Sequence, residues 1–442
     1  MKLKMRLFIM AGLFFILMPW PAVSSPPNLI LISVDTLRAD HLGCYGYSRN
    51  TSPNIDRLLA RGVMFMRAST NVPLTGPAFC SLFTSRYPHQ TGATRNGVPM
   101  VKTAESMTLI LKSKGYTTAA ILSNWPLKSH LCGLKPGFDL YDDEFFKKRW
   151  LVFNTERDAK GVTDNAVAWL ESDPKEPFFL WAHYSEPHAP YVSHKKFNFA
   201  DPGPRSESQT RVDNYDSEIA YADHEIGRLM ERIDSMGLAS SSLIVFVADH
   251  GESLGEHGYV GHGRNIYEPC MCIPFALIGP GIPAGVKENS LVEIMDLAPT
   301  MLAYAGIRGG KDMLGLNLVP YLQKKKPWPG RTIYFETYRG ALRMEDLKGV
   351  LDTERPLWIG FRREDIKVLY SLRFSRWEMY DVTIDPGETV NLARMTDPKF
   401  VALSDELMAW KNRWEEEGVA QGRTDAMSEE DRKQLESLGY IE

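Results

Sequence analysis

The sequence predicts an α/β fold, a mostly parallel sheet flanked by helices on both faces, and two observations carry that prediction. First, four short apolar runs each end in polar residues: 29–34 before Asp35, 116–122 before Ser123 and Asn124, 178–182 before His183, and 243–248 before Asp249 and His250. Continuous runs of this length read as strands buried on both faces, as parallel strands are. Second, amphipathic stretches with helical spacing lie between them, at 52–62, 104–115 and 215–237. Strands alternating with helices imply crossover connections and helices on each side of the sheet.

The elements follow in order. Ser52, Pro53 and Gly62 mark the first helix as cap, first-turn proline and terminator. A stretch from Thr75 through Gly76 and Pro77 reads as a helix start with Thr75 at its cap. Past about residue 321 the texture changes. Lys324-Lys325-Lys326-Pro327-Trp328-Pro329-Gly330 is a polar, proline-rich connector. Strand-like runs follow at 331–337 and 365–372, then a turn at Asp385-Pro386-Gly387-Glu388 and a long helix over 399–417. We divide the chain into a targeting segment at 1–24, a main domain at 25–322 and a smaller α+β subdomain at 323–442.

Bulk properties narrow the class. With 442 residues, 44% of them hydrophobic, the chain has material for a large core. A net charge of −4 points to neither nucleic acid nor anionic lipid, so an anionic substrate would be drawn by local charge or a metal. Lys2, Lys4 and Arg6, an apolar run at 7–18 and the triplet Ala22-Val23-Ser24 have the layout of a secretory signal, which predicts a periplasmic or secreted protein. No later stretch is long enough to span a bilayer. Five cysteines are too few for a disulfide scaffold, and Cys270-Met271-Cys272 sits in a strand-like apolar run.

In open α/β sheets, ligands bind beyond the carboxyl ends of the strands. Here those ends carry Asp35, Asn124, His183 with His188 after it, and Asp249 with His250. Adjacent Asp249 and His250 can offer one cation an oxygen and a nitrogen, a mixed set that suits Mn, Zn or Mg better than an oxygen cage for calcium. Thr75 has two readings, a helix cap or a nucleophile. A helix N-terminus stabilises a negative charge by only ~0.3–1 kcal/mol, which does not ionise a hydroxyl; a metal does. His188, in a proline-rich loop, and His183 are suited to donate a proton or hold an anion. His262 lies between two glycines that permit close approach of a ligand. Cys80 and Arg86 share the C-x5-R spacing of a phosphatase loop, but the residues between them read as a buried helix.

In order and spacing, these motifs resemble the sulfatase family of the alkaline phosphatase superfamily. The resemblance rests on Asp35 after its strand, Ser52-Pro53-Asn54-Ile55-Asp56, Thr84-Ser85-Arg86-Tyr87-Pro88-His89, Pro187-His188-Ala189-Pro190-Tyr191, Asp249-His250-Gly251-Glu252, and Trp377–Asp381 with Asp385–Leu392. It implies an alkaline-phosphatase-like fold and one divalent cation (Mn, Zn, Mg or Ca) held by Asp35, Asp249, His250 and Thr75. It further implies Thr75, His188 and His262 as catalytic residues, with Asn124 and His183 binding substrate.

The departures are informative. Counted back from Arg86, Thr75 stands where the family carries a Cys or Ser oxidised to formylglycine, and Ala78 and Phe79 replace the motif's serine and arginine. Threonine would oxidise to a ketone, so no formylglycine is expected. Thr36 and His250 stand where sulfatases place an aspartate and an asparagine, and His262 stands at a sulfate-holding lysine. A threonine beside an Asp-His pair resembles the superfamily's phosphotransferases, and the Asp-His pair alone is also similar to that of phosphonate monoester hydrolases. Three readings remain: a phosphate or phosphonate esterase acting through Thr75, a sulfatase working without formylglycine, and an inactive anion-binding protein. The expected substrate is a small-molecule, glycan or lipid-headgroup ester; the oligomeric state is open.

Overall fold

The computed structural model describes residues 26–144, 156–200, 202–338, 356–417, 420 and 427–437. The targeting segment at 1–24 lies outside them. Eight strands build the main sheet: β1 (Asn28–Val34), β2 (Val63–Phe65), β3 (Thr117–Ile121), β4 (Leu140–Asp142), β5 (Phe178–Tyr184), β6 (Ser242–Ala248), β7 (Phe275–Ile278) and β8 (Val286–Glu288). Their order across the sheet is β8-β2-β7-β6-β1-β5-β3-β4. Every pairing is parallel except those made by β7, which runs against both β6 and β2. Strands β1, β5 and β6 are buried along their whole length, which is why their sequences run apolar without alternation.

The central position of β1, between β6 and β5, locates the site. The chain leaves β1 for one side of the sheet and later returns to the other, opening a crevice beyond the carboxyl ends of these strands. Helix α1 (Pro53–Leu59), α2 (Thr75–Thr84), α3 (Met107–Ser113), α4 (Ala159–Glu171), α5 (Glu207–Ser235) and α6 (Leu297–Tyr304) complete the main domain. Every residue of α2 is buried. Its Phe79 and Phe83 rings each lie 4.8 Å from Trp181 on β5, so α2 is clamped to the sheet by aromatic packing.

A second sheet is antiparallel, in the order β9 (Thr332–Thr337), β10 (Trp358–Arg363), β11 (Ile366–Ser371) and β12 (Arg376–Asp381). Helix α7 (Pro398–Glu417) covers it, with Trp410 stacked 4.6 Å from Tyr334. The same helix reaches the main domain: Trp414 lies 4.4 Å from His89. A short helix α8 (Glu429–Ser437) follows.

Buried charges join the two units. Lys367 on β11 is fully buried and bonds Glu268 of the main domain at 2.8 Å and Glu388 at 2.9 Å. Arg362 reaches Glu268 at 3.1 Å. Glu336 on β9 accepts the His89 ring and backbone N–H groups at 2.8 and 3.0 Å.

Several local expectations need correction. Ser52 makes no capping bond to α1; its hydroxyl bonds Asp56 and accepts from Gly43. The Cys270-Met271-Cys272 run is not a strand, because Glu268–Met271 forms a helical turn after Tyr267. Helix α5 starts eight residues earlier than its apolar pattern, at a capping box between Ser206 and Gln209. His183 belongs to β5 itself, not to the loop after it.

Candidate active site

Asp35 follows β1, and its amide bonds the Tyr184 carbonyl at 2.8 Å, extending the sheet by one residue. Asn124, after β3, donates its side-chain amide to Asp35 Oδ2 at 2.6 Å. The predicted anion binder thus braces the aspartate. Thr36 sits at φ 53°, an uncommon conformation for a β-branched residue. That turn aims its N–H at Asp249 Oδ1, 3.2 Å away, while Tyr215 donates to its carbonyl at 2.6 Å. Strain of this kind persists where the surroundings over-determine it, as here.

Asp249 follows β6. Its Oδ1 also accepts the His250 N–H at 2.9 Å, which leaves Oδ2 facing His250 Nε2 at 3.5 Å. His250 Nδ1 lies 2.9 Å from the Gly251 carbonyl. A carbonyl only accepts, so Nδ1 carries the hydrogen and the Nε2 lone pair points at the carboxylates. Asp35 Oδ1 is 3.7 Å from that nitrogen and the Thr75 hydroxyl is 3.3 Å from it. Thr75 belongs to the first turn of α2, not to its cap, and its hydroxyl faces His250.

Asp35, Asp249 and His250 offer ligand atoms that all lie within 4.8 Å of one another, and all three side chains are buried. Burial, reinforced by Asp249, pushes the Asp35 carboxyl well above the usual range. Burial likewise raises Asp249 to about 7. Two buried carboxyls facing one imidazole lone pair and one hydroxyl are costly together in a low dielectric. The donor set of two carboxylate oxygens, a neutral nitrogen and a hydroxyl fits a divalent cation, which would remove that cost.

Two more imidazoles adjoin this cluster. The His262 ring lies 4.4 Å from His250 and 5.1 Å from His188. His188 Nδ1 donates to the Ala189 carbonyl at 2.7 Å, and His262 Nδ1 lies 3.1 Å from Glu252 Oε1. Burial, then the neighbouring imidazole of His262, lowers His188 to about 3. His183 lies deeper. Trp181 donates to the Ser33 hydroxyl at 2.8 Å, and that hydroxyl lies 2.9 Å from His183 Nδ1. The Phe79 ring meets His183 edge-on at 4.9 Å, so a phenyl group fills the position where the family motif has an arginine.

Sequence reasoning gave no role to two residues here. Asn96 Oδ1 accepts the Gly76 N–H at 2.8 Å, tethering the residue next to Thr75. Nothing in the local pattern around Asn96 signals that contact across twenty residues. Glu252 was visible within the Asp249–Glu252 motif, but its partner His262 is ten residues away.

The sequence profile described as Sulfatase matches residues 27–307, well over half of the chain. The chain belongs to the sulfatase family. A second profile, described as N-sulphoglucosamine sulphohydrolase, C-terminal, matches residues 255–415. An N-acetylglucosamine-6-O-sulfatase of Bacteroides thetaiotaomicron is 24% identical over 83% of this chain and 82% of its own. A solved structure in complex with its substrate, D-glucosamine-2-N,6-O-disulfate, superimposes with a TM-score of 0.72 at 20% identity, covering 89% of this chain and 99% of that one. The phosphonate monoester hydrolase of Agrobacterium radiobacter gives 0.71 at 20% identity, covering 88% and 96%. The protein is a hydrolase of ester bonds, in a superfamily whose enzymes use a divalent metal. No helix among the described residues is long and apolar enough to cross a membrane.

Proposed function

We propose that this sulfatase-family hydrolase cleaves phosphate or phosphonate esters through a covalent intermediate on Thr75. One observation carries the reading: the hydroxyl in the nucleophile position belongs to a threonine, 3.3 Å from His250 Nε2 in an Asp249–His250 pair. A gem-diol nucleophile releases its acid by collapsing to an aldehyde. Threonine has one hydroxyl and no such exit, so water must attack the intermediate.

Asp35, Asp249, His250 and Thr75 would hold the cation. When bound, it supplies a Lewis acid that favours the ionised hydroxyl and offsets charge on the non-bridging oxygens. Thr75 Oγ1 bonds to phosphorus as the bond to the leaving oxygen breaks. His188 delivers a proton to that oxygen. Burial opposes a charge on His188, whereas the negative charge of a bound ester favours it. Water then bonds to phosphorus, the bond to Thr75 breaks, and Thr75 regains its proton. Asn124 holds Asp35 in place, and α2 holds Thr75.

Membership in the family, with sulfatases among its relatives, favours a second reading, sulfate ester hydrolysis without formylglycine. The test uses the purified protein and a Thr75→Ala variant with added Mn, Zn, Mg or Ca. Both are assayed on aryl phosphate, bis-aryl phosphate, aryl phosphonate and aryl sulfate. Turnover of the phosphorus esters, reduced by a factor of ~10³ or more in Thr75→Ala, is the expected result. Dominant sulfate turnover would establish the second reading instead. Chelation should also lower the thermal midpoint, because a ligand bound only to the folded state stabilises it. Export is part of the proposal, resting on residues 1–24; amino-terminal sequencing of the protein from the periplasm or medium should find that segment removed.

A further inference from the structure

Residues 253–254 and 260–261 form a two-stranded antiparallel ribbon in which Ser253 faces Gly261 and Leu254 faces Val260. Continuing that register one step towards the base of the hairpin sets Glu252 opposite His262. The side chains meet there, with His262 Nδ1 3.1 Å from Glu252 Oε1. Glu252 is fully buried, and its main chain is held at both ends. Its N–H donates to the Pro269 carbonyl at 2.9 Å, and its carbonyl accepts from Arg38 at 3.1 Å. The next residue of the other strand is fixed too: Thr337, from the C-terminal sheet, donates to the Gly263 carbonyl at 2.9 Å. A hairpin pinned at three points therefore presents one carboxylate to one imidazole.

We propose that Glu252 is a positioning residue that fixes the tautomer and the ring orientation of His262. The proposal rests on the Thr75 covalent reading for its catalytic consequence. A carboxylate accepts, so Nδ1 carries the hydrogen and Nε2 keeps its lone pair, in a ring 4.4 Å from that of His250 and 5.1 Å from that of His188. The two imidazoles beside the cluster thereby differ in kind. The His188 ring is held by a neutral carbonyl of its own loop, and the His262 ring by a carboxylate on a rigid ribbon. A threonine ester needs an attacking water, and the ribbon sets His262 Nε2 to receive its proton. In that step the water oxygen bonds to phosphorus, its proton goes to His262 Nε2, and the bond to Thr75 Oγ1 breaks on the opposite side of phosphorus; Thr75 Oγ1 then takes up a proton, and His262 releases one, in exchange with solvent water. Atoms and charge balance with no further reactant.

The test compares Glu252→Gln with Glu252→Ala, in the full protein reconstituted with Mg to avoid a paramagnetic ion. Glutamine keeps a carbonyl oxygen that accepts the same N–H; alanine keeps none. Ring-nitrogen NMR of the ¹⁵N-histidine-labelled protein, assigned with His262→Gln, reads the tautomer directly. The Nδ1–H form is expected in the wild type and in Glu252→Gln, and a tautomer mixture in Glu252→Ala. In steady state, kcat should fall roughly 10–100-fold in Glu252→Ala with KM little changed, and Glu252→Gln should recover most of the loss. A wild-type tautomer pattern in Glu252→Ala overturns the proposal, as does a Gln variant as impaired as the Ala variant. The NMR result holds whichever ester is turned over. A protein inactive on every ester would sink the covalent reading and leave the positioning claim decided by the spectra.

Discussion

At the scale of single residues, Phe79 shows how far this site has moved from the motif it resembles. The ring is fully buried between Trp181 and His183, so the position belongs to the core. Restoring the motif's arginine there would bury a charge against the Trp181 and His183 rings. We expect Phe79→Arg to lose ~3–5 kcal/mol in urea denaturation and to gain no aryl sulfatase activity. An active, stable variant would show that the pocket around His183 is wider than its packing implies. A second residue gives a pH signature. Burial, then the nearby Glu218, raises the Glu186 carboxyl from 4.5 to about 8. The folded protein thus keeps a proton that the unfolded chain releases, so Glu186 lowers stability progressively as pH rises from about 4.5 towards 8. The difference in denaturation midpoint between pH 5.5 and pH 8 should shrink in Glu186→Gln. An unchanged difference would mean that this carboxyl is ionised throughout. Of the site residues, Asp35, Asp249, His250 and Thr75 were legible as ends of apolar runs and family positions. The His262 partner was not, because a ribbon of two-residue strands leaves no periodic trace.

At the scale of elements, the loop after β6 carries the tightest constraint. A methyl group on Gly251 would lie 2.0 Å from the Pro269 carbonyl oxygen, a backbone atom that cannot swing aside. Gly251 separates His250 from Glu252, so any relief of that clash displaces one of them. We expect Gly251→Ala to reduce kcat by roughly 10²-fold while the protein still folds, as measured by ester turnover beside circular dichroism. Turnover near that of the wild type would show that the loop gives way without moving either side chain. The ends of β1, β3, β5 and β6 were readable to within two residues, because burial leaves continuous apolar runs; the short strands β2, β4, β7 and β8 were not read from the sequence. The second sheet was half readable. Strand β12 mixes arginine, glutamate and aromatic residues, so its sequence has no run to follow and it is legible only as a family motif. Strand β10 does carry a short apolar run, at 357–361, which the sequence reading passes over.

At the scale of the molecule, the seam between the two sheets is held by ionised groups that have no exit to water. Among the described residues, Lys367 pairs with both Glu388 and Glu268, and Arg362 also reaches Glu268. Removing it leaves buried carboxylates uncompensated, so Lys367→Met should cost ~3–5 kcal/mol. Thermal unfolding of the variant is expected to split into two steps as the small sheet separates first. A single transition at the wild-type midpoint would show the seam to be held by Trp410, Trp414 and their neighbours instead. The same seam bears on recombination among relatives. Exchanging the C-terminal unit for that of another family member would import a lysine, or its absence, opposite a glutamate that stays behind. The unit that can be exchanged therefore includes Glu268 and the ribbon carrying His262. A crossover placed before that ribbon, and not at the proline-rich connector, keeps Lys367, Arg362, Glu268 and Glu388 together, while the His89–Glu336 contact still spans the joint.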